Sequence, residues 1–174
     1  MRRSTLFGAP LAVLTLSLAT EATAQDLSKT VLALDLDFAG PLSELGVNGG
    51  GGGAVRVGRK LDLVLLSLTP EIGGGYHAFS GANGGEIYQG FLGGRVGIGK
   101  VFEPSIFAHI GLGRLSAEVT KRTAATFEAG AAFDFTLLPL IDLGAHASYN
   151  VLLPRDNYAS FNWYLLGLHV ALEF

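Results

Sequence analysis

The chain ends on Tyr164-Leu-Leu-Gly-Leu-His-Val-Ala-Leu-Glu-Phe174, eleven residues in which apolar positions alternate with small or polar ones. Tyr164, Leu166, Leu168, Val170 and Leu172 fall on one face, and Gly167, His169, Ala171 and Glu173 on the other. A period of two puts these sets on opposite sides of a strand. A soluble sandwich would bury the apolar face and wet the polar one. Here the pattern returns about eight times behind an export signal, which predicts an all-β fold: an eight-stranded antiparallel up-and-down transmembrane barrel, apolar outside and polar inside.

The export signal is expected over residues 1–24. Arg2 and Arg3 supply the positive start, an apolar stretch runs over 6–18, and Ala22-Thr-Ala24 fits a small-x-small cleavage site. That stretch is too short for a spanning helix. Cleavage leaves residues 25–174 as one barrel domain, with ten Lys and Arg against fourteen Asp and Glu. Such weak acidity argues against nucleic acid, which selects a basic face. There are no cysteines, so an exported chain of this size must be held by something other than disulfides, and barrel closure supplies it. Charged residues are 16% of the chain and the mean hydropathy is +0.41, without an apolar run of spanning length after the signal. A barrel needs only every second residue apolar, which reconciles the two.

Reading along the chain, the expected strands are 30–39, 54–59, 63–76, 86–100, 105–119, 123–137, 140–152 and the carboxyl-terminal segment. The glycine run 49–53 lies in an expected flexible loop, 40–53. Further long loops are expected at 77–85, 118–123 and 153–161. Short turns are expected at 59–62, at Phe102-Glu-Pro104 and at Leu138-Pro139. Pro70 has no N–H for a ladder, so a bulge or local irregularity is expected there. A second bulge after Gly113 would let Arg114, Ser116 and Glu118 share a side. Alternating long and short connections and an even strand count place both termini in the periplasm. Tyr76, Tyr88, Tyr149, Tyr158, Trp163, Tyr164 and Phe174 fall near strand ends, where aromatic girdles sit.

This pattern resembles the small eight-stranded OmpA/OmpX-type outer-membrane barrels over the whole of 27–174. The resemblance implies an outer-membrane location, membrane lipid as surroundings and a monomer. It also implies a carboxyl-terminal signal, here Tyr164, Leu172 and Phe174, read by the barrel-insertion machinery. That signal favours a glycine five residues before the end, where this chain has His169, with Gly167 two places earlier.

The inward face collects Asp35, Asp37, Glu71, Glu128, Asp134, Asp142 and Glu173, with Arg56, Arg95, Arg114, His109, His146 and His169. An eight-stranded barrel is just wide enough for side chains to fill it. Charges inside must be paired or hydrogen-bonded. The leading expectation is therefore a structural network of Asp35, Asp37, Arg56, Glu71, Arg95, Glu128, Asp134 and His146. Carboxylates outnumber basic groups, so a narrow cation-preferring pore is the first alternative. A metal site from Asp35, Asp37 and a histidine is permitted by spacing without being diagnostic. No cofactor is expected.

His146-Ala-Ser148-Tyr-Asn150 looks like the His-x-Ser-Asn run of the outer-membrane lipid A deacylases, in which His146 would be base and Ser148 nucleophile. Tyr149 interrupts that run, and Ser160 stands where the family has its glutamate. Alternation also turns both residues inward, away from lipid. Gly94-Arg-Val-Gly-Ile-Gly-Lys100 imitates a phosphate loop, but Val101 replaces its hydroxyl residue and the segment reads as a strand. The expectation is a non-enzymatic barrel with a structural or surface-interaction role.

Overall fold

The computed structural model describes residues 28–42, 46–118, 121–155 and 158–174. The export signal and Asn157 lie outside the described residues. Eight strands follow in order: β1 (Ser28–Pro41), β2 (Asn48–Leu63), β3 (Leu66–Ser80), β4 (Gly85–Ile98), β5 (Phe102–Ala117), β6 (Lys121–Leu138), β7 (Ile141–Leu152) and β8 (Phe161–Glu173). Each pairs antiparallel with the next, and β8 returns to β1, so the sheet closes. The seam runs from Val31 opposite Glu173 to Pro41 opposite Trp163. Beyond it, the Thr30 and Phe174 backbones exchange hydrogen bonds of 2.6 and 2.9 Å. Among the described residues closure leaves no strand without a neighbour on either side, which is what allows a sheet to cross hydrocarbon.

Side chains alternate across the wall. On β1, Leu32, Leu34, Leu36 and Phe38 point outward, while Asp35 and Asp37 are buried inside. On β6, Phe127 and Phe133 face out opposite Thr126 and Ala132. Such an encircling apolar exterior would be an aggregation hazard in water and is the ordinary surface of a transmembrane barrel.

The connections at one end are 42–47, 81–84, 118–120 and 153–160; at the other they are 64–65, 99–101 and 139–140. The expected alternation is present, but several boundaries move. The run Gly49–Gly53 belongs to β2, not to a loop: Gly50–Gly53 pair with Leu36–Ala39 on one side and with Tyr76–Phe79 on the other. Glycine carries no side chain to mark a face, so its alternation is invisible in sequence. A register shift between Asn48 and Gly50 marks a bulge at the strand's start. Phe102-Glu-Pro104 opens β5, and its turn is 99–101, where Gly99 takes φ +115°. The β2–β3 ladder lapses at Arg59 and Lys60, opposite Pro70 and Thr69, then resumes in unchanged register at Leu61. Pro70 thus causes a local gap and no bulge. The bulge expected after Gly113 is absent: β5 keeps register with both neighbours through Ser116, and Arg114 lies on the exposed side.

Candidate functional site

Three layers fill the lumen. At the loop end sits an apolar plug, in which Phe79, Phe161 and Trp163 pack with Ile87, Leu152 and Leu165. Phe79 meets Phe161 edge-on at 5.3 Å between ring centroids, and Phe161 lies 5.6 Å from Trp163. Trp163 is therefore fully buried inside and does not belong to the girdle. Tyr76, Tyr88, Tyr149 and Tyr158 do face outward, with Tyr76 and Tyr88 paired at 4.8 Å. An inward aromatic and a girdle aromatic occupy the same stretch of strand and differ only in phase.

The middle layer is charged. Arg56 gives Asp35 two bonds of 2.8 Å, from Nε and Nη2, and reaches Glu71 through Nη1 at 2.9 Å. Arg95 donates to Asp134 at 3.2 Å and lies 5.2 Å over the Phe107 ring. His109 bridges Glu71 at 2.7 Å and Glu128 at 2.8 Å, stacked on Phe91 at 4.6 Å. A ring with a carboxylate at each nitrogen donates to both only as imidazolium. Asp37 accepts from His77 at 3.0 Å and from His146 at 2.8 Å. His169 bonds Asp134 through Nε2. All eight residues expected in the lumen network, Asp35, Asp37, Arg56, Glu71, Arg95, Glu128, Asp134 and His146, thus lie on the inner wall, whereas Arg114 does not. His77, expected in a loop, is fully buried on β3.

At the turn end Lys60 bridges Glu103 and Glu173, both at 2.8 Å, and Lys29 adds a second contact to Glu173 at 2.8 Å. Glu103 and the two lysines are not legible as lumen residues in sequence, because Glu103 and Lys60 fall in the short turns expected at 102–104 and 59–62 and Lys29 precedes the first expected strand.

Inward glycines make room for this network. A Cβ on Gly167 would collide with both Asp37 and the His146 ring. One on Gly144 would strike the His169 ring, and one on Gly52 or Gly93 would come within 2.6 Å of the His77 or His109 ring. Glycine beside long polar side chains was the available sequence signal.

Among the described residues, a small cavity of about 20 Å³ lies within the belt on its plug side, and another of about 40 Å³ lies on its turn side. Arg56 and Arg95 line both and form the partition. Each cavity has room for roughly one to three waters, since one water needs about 10–15 Å³.

Ser148 is buried on the inner wall and takes a hydrogen bond of 2.9 Å from Asn150 Nδ2. His146 directs Nε2 to Asp37 and Nδ1 to His169, so its ring does not address the hydroxyl. Of the expected assembly signal, Leu172 and Phe174 are exposed on the outer wall, and Tyr164 covers Gly40 across the seam.

The fold is that of the small eight-stranded outer-membrane barrels. No family model matches the sequence, and no curated protein does. Solved structures do. Neisserial surface protein A superposes with a TM-score of 0.63 at 15% identity, over 83% of this chain and 97% of that one. A major outer membrane protein from Thermus thermophilus gives 0.55 at 15% identity, over 84% and 99%. The outer membrane enzyme PagL gives 0.52 at 16% identity, over 80% and 97%. At such identities the likeness is one of fold.

Proposed function

We propose that this chain is a non-enzymatic integral outer-membrane protein, exported by its amino-terminal signal, with both termini in the periplasm. Its role on this reading is structural or surface-interacting, exercised at the loop end. The observation that carries it is the filled lumen: an aromatic plug, a belt of ion pairs and a lysine–carboxylate cluster in series. A rigid, side-chain-filled cylinder leaves its outer wall to lipid and its loops to the exterior.

The pore reading needs a water path past Arg56 and Arg95, and the partition these residues make weighs against it. The hydrolase reading needs His146 and Ser148 at the lipid face, whereas both side chains are engaged inside. Purified chain inserted in planar bilayers tests the proposal, with no unitary conductance steps as the expected result. Steps from the wild-type chain whose size changes with Arg95→Ala would favour the pore. Release of fatty acid from lipid A, abolished by Ser148→Ala, would favour the hydrolase.

A further inference from the structure

His146 and His169 present their Nδ1 atoms to each other at 3.3 Å. Each ring is held from behind by a carboxylate at Nε2, His146 by Asp37 and His169 by Asp134. A carboxylate accepts, so the Nε2 atoms carry the hydrogens and the Nδ1 lone pairs converge. Two facing lone pairs require a cation between them, either a shared proton or a metal ion. An Asp35 oxygen completes a set whose three ligand atoms all lie within 4.8 Å of one another.

We propose that this triad is a binding site for a borderline divalent transition metal, with zinc as the type ion. A tetrahedral zinc with Zn–N bonds of about 2.0–2.1 Å sets neighbouring nitrogens roughly 3.3–3.4 Å apart, which matches the pair. The Asp37–His146 and Asp134–His169 contacts are the carboxylate–histidine supports that fix tautomer and ring direction at metal centres. Imidazole nitrogen with one carboxylate suits zinc, copper or nickel over calcium or magnesium. Asp35 already accepts from Arg56, but each carboxylate oxygen has a second lone pair. The cavity lined by Asp35 and His146 has space for a water as fourth ligand.

Charge points the same way. In the middle layer Asp35, Asp37, Glu71, Glu128 and Asp134 face Arg56, Arg95 and the doubly bonded His109, which leaves two negative charges. A dication cancels them. On the turn side, the lower cavity joins His169 and Asp134 to Asp142 and Glu173.

The test uses untagged full-length chain folded in detergent and stripped with chelator. Titration with zinc should give one bound ion per chain and raise the urea midpoint, because the folded state alone holds the triad. Cobalt in its place should show the intense visible bands of tetrahedral coordination. His146→Gln and His169→Gln keep a donor toward each carboxylate and remove Nδ1, so each should abolish the stoichiometric site. His77→Gln should leave it intact. Asp37→Asn and Asp134→Asn should weaken zinc by about 10- to 100-fold. A cobalt spectrum of octahedral type, or zinc binding unchanged in both histidine variants, overturns the proposal. If the variants do not fold, a wild-type midpoint unmoved by zinc overturns it alone and leaves a shared proton between the rings.

Discussion

Replacing Arg56 by methionine tests the charged belt where its geometry is strongest. Arg56 makes three charge-assisted bonds of 2.8–2.9 Å and is 7% exposed. Its loss leaves Asp35 without its guanidinium partner, while Glu71 keeps His109. Breaking a buried pair from one side costs about 3–5 kcal/mol, mostly the stranded charge. Arg95 offers one bond of 3.2 Å, and its Nε has no hydrogen-bond partner among the described residues. Arg95→Met should therefore cost less, about 1–3 kcal/mol. Urea unfolding in detergent, followed by fluorescence of the single tryptophan in the plug and by the gel shift of unboiled protein, measures both. The double change Arg56→Met, Asp35→Asn should recover most of the loss, since Glu71 keeps His109 and no carboxylate is then stranded. Arg56→Met within about 1 kcal/mol of wild type, or a double variant no better than the single, would refute buried pairing and indicate a hydrated lumen.

Trp163→Ala should cost about 3–5 kcal/mol in the same assay by emptying the plug, with gel shift replacing fluorescence as the readout. Gly167→Ala should cost about 1–3 kcal/mol, because the new methyl displaces both Asp37 and His146; a neutral result would show that these side chains lie elsewhere. An epitope inserted after Gly46 should be accessible on intact cells and leave the barrel folded, whereas one at Gly51 should disrupt it, since Gly51 is paired on both sides within β2. Protection of the Gly46 epitope with exposure of one at Val64 would invert the topology.

The fold was legible wherever inward residues were polar and outward ones large. In β6 and β7 the alternation of Glu128, Asp134, His146 and Ser148 against Phe127, Phe133 and Tyr149 fixes the phase by itself. It failed where contrast vanished. Five consecutive glycines read as flexible chain, yet the strands on either side dictate their conformation. Phe79, Phe161 and Trp163 are apolar on the inner wall, which the rule of polar inside and apolar outside cannot anticipate. The charged residues of the lumen could be named, but their partners could not. Which carboxylate meets Arg56 depends on the register of three strands, and His77 and Lys60 join only once β2 and β3 have their full length. The facing histidines are likewise a product of register: His169 stands opposite Gly144, two residues from His146.

On this reading the outer wall of the barrel meets lipid and its lumen is closed to bulk water. The absence of native cysteine makes this directly measurable by spin labels placed one at a time along 125–135 of β6 in lipid vesicles. Labels at Phe127, Ala129, Ala131 and Phe133 should relax strongly with oxygen, which partitions into the bilayer. Those at Thr126, Gly130 and Ala132 should respond weakly both to oxygen and to a water-soluble nickel chelate. A chelate that reaches the even positions, or a loss of the two-residue period, would contradict it.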